Sequence, residues 1–345
     1  MLITIIGHFA KDNDSNNGQT VKTKNLSFAL SEIDNVRVTE LDTYGWKKHP
    51  IRLFKKLWQA MKSSDAIIML PANNGLKIFA PLIVCLNKKY KKKIYYDVVG
   101  GWLPEFLKNR SNLQKKLKKF DGIWVETPSM QNRMLELGFK NVVVVPNFKT
   151  LKPLDTSELA FNYTVPLSFC VFCRITKQKG ISEAINAIRE INLIREETVA
   201  ALDIFGQIDP AYEEEFNKLL CENKGYVNYK GIVQPSNSVE VLKNYFMLLF
   251  PTYYDGEGFA GTLIDAFASG LPIISSDWRY NPEIVQNGIN GFLFETKNQQ
   301  DFIEKIDFSL QNLDIINQMR YNCLEEYKKY SYETAVEKIK GLICE

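Results

Sequence analysis

Between Tyr254 and Phe294 the chain reads Asp255-Gly-Glu-Gly-Phe-Ala-Gly-Thr-Leu-Ile-Asp265-Ala-Phe-Ala-Ser-Gly-Leu-Pro272, then Ile-Ile-Ser-Ser-Asp277 and, from Pro282, Glu283-Ile-Val-Gln-Asn-Gly-Ile-Asn-Gly-Phe-Leu. The pattern is a strand end, a glycine-rich loop, a helix, a short buried strand and a second loop. Gly256, Gly258 and Gly261 let the backbone come close to a ligand. The helix opening after them turns its unpaired N–H groups toward that ligand, which makes an anion site, most often for phosphate. Glu257 and Asp265 set two carboxylates around it, one in the loop and one about a helical turn or more further in. Phosphate donors between two carboxylates suit a ligand carrying both a diphosphate and hydroxyl-rich sugars, which describes a nucleotide sugar. The competing reading is a glycine-rich turn ahead of an ordinary core helix.

A second charged cluster stands in Phe172-Cys-Arg-Ile-Thr-Lys-Gln-Lys-Gly180. Arg174 and Lys179 lie just beyond a strand, where two fixed cations suit a diphosphate leaving group. A helix begins there, and its dipole disfavours cations, so an anion accounts for them better than a solvated pair does. Cys170 and Cys173 form a C-x-x-C inside a strand pattern that points them to opposite faces, with no second Cys or His pair, and are read as core cysteines. The two histidines, His8 and His49, are assigned no catalytic role. No carboxylate or histidine cluster with metal-ligand spacing occurs, so no metal is expected.

The 345 residues, 45% of them hydrophobic, are ample for two domains. No apolar run approaches the roughly 20 residues of a membrane span, and the opening Met1-Leu-Ile-Thr-Ile-Ile-Gly reads as a buried strand rather than a leader. A cytoplasmic protein, peripheral at the inner face of the membrane, is expected. The net charge of +3 hides an asymmetry: residues 1–150 hold 25 Lys and Arg against 12 Asp and Glu, a net of +13, and residues 151–345 hold 18 against 28, a net of −10. The excess gathers in Lys88–Lys93, Lys115–Lys119 and the Lys47 to Lys62 stretch. Such an imbalance points to an anionic partner. Aromatic interleaving of the kind that stacks bases is absent from the lysine runs and no nucleic-acid-binding motif is visible, so an anionic membrane surface is favoured and nucleic acid is not.

Short β-rich runs alternate with helical patterns throughout. Strands are expected at Leu2–Ile6, Val36–Leu41, Ala66–Leu70, Lys93–Val98, Gly122–Glu126 and Val142–Val145, with helices around Val21–Ser31, Leu53–Ser63, Ile78–Asn87, Leu113–Lys118 and Met130–Leu137. A polar connector from Pro146 to Pro153 follows. The second alternation starts at Leu167, with strands at Ala201–Phe205, Val227–Lys230, Met247–Pro251, Pro272–Ser275 and Gly291–Phe294. Its helices include Ile181–Ile194, where Ile181, Ala184, Ile185, Ile188 and Ile191 form a stripe at helical spacing. Gln299 to Cys344 is helical. This predicts an α/β fold of two doubly wound parallel-sheet domains, 1–150 and 151–330, with ligands beyond the carboxyl ends of the strands.

These motifs resemble the signature of retaining GT-B glycosyltransferases of family 4 (glycosyltransferase group 1), of the bacterial polysaccharide-biosynthesis type. The family's Glu-x7-Glu stands here as Glu257-x7-Asp265, and its Gly-Arg-x4-Lys-Gly has Cys173 in place of the first glycine. The resemblance covers nearly the whole chain. It implies two Rossmann-like domains facing a central cleft, with 331–345 as a final helix crossing back to the first domain. It also implies a transferase acting with retention on a UDP- or GDP-sugar, with no cofactor or metal. Glu257, Arg174 and Lys179 would be the catalytic residues, Glu257 on the sugar hydroxyls and the two cations on the leaving diphosphate. Gly258, Phe259, Ala260 and Gly261 would offer backbone N–H groups, Thr262 would reach a phosphate oxygen, and Asp265 would hold the ribose. Ile232 would pack beside the base, and Phe205 and Gly206 would end a strand at the same site. Asn17 and Gly18, in the loop after the first strand, would touch donor phosphate or acceptor. Gly100, Gly101 and Trp102 are acceptor candidates, or else a turn packed by the Trp102 ring. The acceptor would be a lipid-linked glycan in surface polysaccharide assembly. The alternatives are a soluble sugar or protein acceptor, or a catalytically silent scaffold of the same fold.

Overall fold

Runs of three to six residues, mostly apolar, build two six-stranded sheets in which every strand pair is parallel. The computed structural model describes residues 1–10, 18–159 and 163–344. It divides into unit 1 (Met1–Thr150, Gly258–Ala260, Tyr330–Glu345) and unit 2 (Leu151–Glu257, Gly261–Lys329).

Unit 1 runs β1 (Leu2–Gly7), α1 (Gly18–Ser31), β2 (Arg37–Asp42), α2 (Pro50–Ser63), β3 (Ala66–Met69), α3 (Asn73–Tyr90), β4 (Lys93–Asp97), α4 (Leu103–Leu107), α5 (Ser111–Leu117), β5 (Gly122–Val125), α6 (Pro128–Glu136) and β6 (Val142–Val144). The sheet order is β2-β1-β3-β4-β5-β6, so the winding reverses between β1 and β3. β3 and β5 are buried at every residue, as strands covered on both faces must be.

Unit 2 follows with β7 (Leu167–Phe172), α7 (Ile181–Ile194), β8 (Ala200–Phe205), α8 (Glu213–Glu222), β9 (Val227–Gly231), α9 (Ser238–Leu242), β10 (Met247–Phe250), α10 (Gly261–Ala268), β11 (Ile273–Ser276), β12 (Gly291–Phe294), α11 (Gln299–Gln311) and α12 (Leu313–Tyr327). Its order, β12-β11-β10-β7-β8-β9, reverses between β7 and β10. Ligands in open parallel sheets bind outside the strand carboxyl ends at such a reversal. The loops that leave β7 and β10 there carry Arg174, Lys179 and Glu257. The stripe on α7 is buried, with Ile181, Ala184, Ile185, Ile188 and Ile191 all inside the core.

The last helix, α13 (Tyr332–Cys344), belongs to unit 1. Its Ala335, Ile339 and Ile343 join the core built by Ile3, Ile5, Leu26 and Leu30, and the Tyr332 ring meets Phe28 at 5.3 Å.

Two elements differ from the sequence reading. α3 starts at Asn73, five residues before the expected Ile78, because Asn73-Asn74-Gly75 forms its first turn. A Cβ on Gly75 would come within 2.7 Å of Pro71 Cβ, so the glycine serves close packing. Leu103–Leu107, outside every expected strand and helix, is a short helix with Pro104 in its first turn, where a missing N–H is harmless.

Ile339 is fully buried. Ile339→Ala should therefore lower stability by about 2–5 kcal/mol, read as a lower urea midpoint with an unchanged slope. A midpoint equal to that of the wild type would show that α13 does not seal the core of unit 1.

Candidate functional site

In unit 2 the site is built where β7, β8 and β10 end. Gly206, after β8, has φ +140°, and a Cβ there would collide with the Cys173 carbonyl oxygen. Its N–H donates to Gly231 O (2.9 Å) and its carbonyl accepts from the Tyr229 hydroxyl (2.9 Å), which ties the ends of β8 and β9 together. Gly180, at φ +73°, lets the chain turn into α7 directly against the Pro251 carbonyl, another place where a side chain would collide. Only glycine serves at both positions.

The turn Lys177–Lys179 leads into Gly180 and carries the central interaction. Lys179 Nζ lies 2.5 Å from Glu257 Oε2, with the two side chains only 15% and 8% exposed. The same oxygen accepts from Thr252 Oγ1 at 2.8 Å. The ammonium also stands over the Phe250 and Tyr254 rings, at 5.5 and 5.3 Å. Burial alone would lower the Lys179 pKa. Glu257 outweighs it and holds the group above the ordinary lysine value, so it stays charged. Burial pushes the neighbouring Cys173 thiol up to about 12, which leaves it un-ionised and unreactive.

Arg174 is different: 60% exposed, it makes one ion pair among the described residues, Nη2 to Asp209 Oδ2 at 2.8 Å. Most of its donor fork is open to an incoming anion. The loop after β10 ends at α10, whose first N–H groups, from Gly261 on, have no partner inside the helix. The Thr262 hydroxyl donates to Phe172 O (2.6 Å), so its proton is engaged on the end of β7. Asp265 is almost fully buried and its Oδ1 accepts from Ser238 Oγ (2.8 Å) at the start of α9. Ser238 carried no recognisable signal in the sequence. Phe205 is buried between the Phe172 and Tyr245 rings, whereas Ile232 stands exposed beyond β9.

In unit 1 a second buried charge cluster sits beyond β4 and β5. Lys22 on α1 donates to Val98 O (2.5 Å) and to Glu126 Oε1 (2.8 Å). Its ammonium is 3.0 Å from Asp97 Oδ1, a contact held by charge without directed hydrogen-bond geometry. Burial pushes the Asp97 carboxyl up to about 6 despite Lys22. Lys22 is held above its ordinary value, because Asp97 and Glu126 together overcome the opposing effect of burial. The other Glu126 oxygen accepts from the Phe259 N–H at 2.8 Å. Asn147 Nδ2 donates to Phe259 O at 3.0 Å, and the Phe259 ring packs edge-on against Tyr330. A Cβ on Gly258 would strike both Glu126 Oε2 and the Gly100 backbone, so Gly258 is required where unit 1 takes in residues 258–260.

Lys22 and Glu126 were missed from sequence, although two signals existed. A lysine occupies an inward position four before Leu26, and a glutamate closes the all-buried run Gly122–Val125. Of the acceptor candidates, Gly100 has φ +80° and Trp102 Nε1 donates to Val99 O (2.7 Å), closing a turn, with the ring against Phe106. Gly18 is the exposed first residue of α1, and Asn17 lies outside the described residues. Among the described residues no group of three or more His, Cys, Asp or Glu side chains gathers, and no helix is long and apolar enough to cross a membrane.

Two doubly wound Rossmann-like units of this kind make up the GT-B fold. Across all of this chain and all of its own, Alr3699/HepE of Anabaena, solved in complex with UDP, superposes with a TM-score of 0.77 at 14% identity. Residues 162–326, which are most of unit 2, match the family model for glycosyl transferases group 1. The GtfA subunit of the UDP-N-acetylglucosamine–peptide N-acetylglucosaminyltransferase of Streptococcus agalactiae is 33% identical over 121 residues, which are 35% of this chain and 22% of that protein. The N,N'-diacetylbacillosaminyl-diphospho-undecaprenol alpha-1,3-N-acetylgalactosaminyltransferase of Campylobacter jejuni is 32% identical over 108 residues, 31% of this chain and 28% of that one. The chain thus spans about a quarter of the length of these relatives.

The raised Asp97 pKa has a sign that can be checked. A carboxyl that binds its proton more tightly folded than unfolded contributes stability in full below about pH 4, and loses it as pH rises through about 6. Relative to Asp97→Asn, the wild type should lose about 3 kcal/mol across that window and change little above it. Urea titrations of both proteins at a series of pH values measure this; a constant difference would mean that Asp97 does not titrate there.

Proposed function

We propose that this protein is a retaining glycosyltransferase that moves a sugar from a UDP- or GDP-sugar to a glycan acceptor carried on a lipid, at the inner face of the membrane, in surface polysaccharide assembly. The observation that carries the proposal is the Lys179–Glu257 pair at the loop that opens α10, with the Arg174 fork exposed on the neighbouring strand end. Arg174 and Lys179 stabilise the charge that develops on the leaving diphosphate, in place of a divalent ion. Glu257 is fixed on its Oε2 side by Lys179 and Thr252, and binds hydroxyls of the donor sugar. The N–H groups that open α10, from Gly261 on, complete the site, and Asp265, on α10, holds the ribose. UDP is the favoured donor base, since the Anabaena protein was solved with UDP and with UDP-glucose and the streptococcal relative is named for a UDP-sugar. The Campylobacter relative, named for a diphospho-undecaprenol substrate, supports the lipid-linked acceptor. The streptococcal relative's name favours a second reading, a peptide acceptor.

The two cations call for different tests. Arg174→Ala removes one exposed ion pair, worth about 0–1 kcal/mol in stability, yet should cut turnover roughly 100- to 1,000-fold. Lys179→Ala strands the Glu257 carboxylate, and should cost about 3–5 kcal/mol of stability as well as activity. Lys179→Met with Glu257→Gln should recover the fold without the activity. Near-wild-type turnover in Arg174→Ala and in the double variant would sink the diphosphate assignment.

The carboxylates separate by ligand. Asp265→Ala should weaken binding of UDP and of UDP-sugar alike, whereas Glu257→Ala should weaken the UDP-sugar far more than UDP. Equal losses for both ligands in both variants, by calorimetry, would reverse the assignment. An absence of binding by any nucleotide sugar would favour the silent scaffold.

A further inference from the structure

The helix α2 has an apolar face wider than its packing uses. Leu53, Leu57 and Met61 are buried against the body of unit 1. At 100° per residue, Phe54, Trp58 and Ile51 continue that face around the helix, yet they are 47%, 42% and 83% exposed. The cations Lys55 and Lys62 border this strip, and Arg52 and Lys56 follow on the far side. Counting Lys47 and Lys48 ahead of the helix, six cations and no acid stand between Asp42 and Asp65. By contrast, the Lys88–Lys93 run lies at the end of α3 and the start of β4, beside no comparable exposed apolar strip.

An exposed Ile-Phe-Trp strip bordered only by cations is the pattern of a helix lying in the plane of a membrane interface. Its apolar side chains enter the acyl boundary, its tryptophan sits at headgroup depth, and its lysines meet lipid phosphates. We infer that α2 is the docking element of this protein, and that an anionic bilayer is the surface that covers Ile51, Phe54 and Trp58. A protein partner that covered such a strip would need acidic groups opposite every flank, whereas a bilayer of acidic lipids supplies them at any rotation of the helix. The inference rests on the membrane reading proposed above and narrows it, since charge alone nominated the lysine runs. Binding therefore combines insertion with attraction, and the attraction weakens with salt as the Debye length shrinks to about 8 Å at physiological ionic strength.

The test is sedimentation of the full chain with phosphatidylcholine vesicles, with and without phosphatidylglycerol, at two salt concentrations. The wild type should pellet only with the acidic lipid. Ile51→Gln, Phe54→Gln and Trp58→Gln combined should weaken binding at least tenfold, and the intrinsic fluorescence shift on binding should disappear with Trp58. Neutralising Lys88, Lys89, Lys91, Lys92 and Lys93 together should weaken it much less. The melting-temperature rise given by UDP should be the same in all three proteins, which controls for folding. Pelleting of the α2 variant equal to that of the wild type would overturn the inference and leave the membrane reading standing. A wild type that pellets with neither vesicle would overturn both. A dimer in solution that the α2 substitutions dissociate would assign the strip to a second copy and overturn the inference.

Discussion

A buried lysine cannot stand without its carboxylate, and the site in unit 2 is organised around that constraint. Lys179 and Glu257 lie 78 positions apart, on the loops that flank the reversal of the sheet. Removing either from water is expensive, and only their close approach repays it. Gly180, the residue after Lys179, passes directly against the Pro251 carbonyl, where a side chain would collide. Thr252 consolidates the ion pair by donating to the same glutamate oxygen. The cost in solvation returns as fixed charge: a cation and a carboxylate held in place by the fold.

Unit 1 meets a related problem in a related way. Lys22 is buried with Asp97 and Glu126 at the ends of adjacent strands, and the raised Asp97 pKa records how incompletely the cation offsets burial. Glu126 uses one oxygen on the lysine and the other on the Phe259 N–H. Gly258 is the residue that lets this second contact form. The backbone of residues 258–260 is thus held on both its N–H and its C=O sides, by Glu126 and Asn147.

The exterior follows different rules. On α13 the apolar positions are used up in the core of unit 1, whereas on α2 they continue past it into solvent, bordered by cations. A fold needs the first arrangement for stability; the second adds nothing to folding, and its energetic return comes only when something covers it.

Much of this was legible in the sequence. Continuous apolar runs alternating with helical stripes determine a parallel α/β architecture, because strands covered on both faces have no polar side to show. Glycine spacing between Glu257 and Asp265 marked the loop between β10 and the start of α10, since local backbone chemistry needs no distant partner. The Asn73-Asn74-Gly75 start of α3 was not legible, because the glycine is there for its close packing on Pro71, which the chain alone does not display. Nor was the status of individual charges. Arg174 and Lys179 look alike in the chain, yet one is exposed beside Asp209 and the other is buried on Glu257. Lys22 looks like any surface lysine until Asp97 and Glu126 arrive from 75 and 104 residues away. Local periodicity and loop chemistry depend on neighbours in sequence, so the sequence by itself determines them. Pairing and burial depend on partners that only the folded sheets bring together, and these the tertiary structure alone decided.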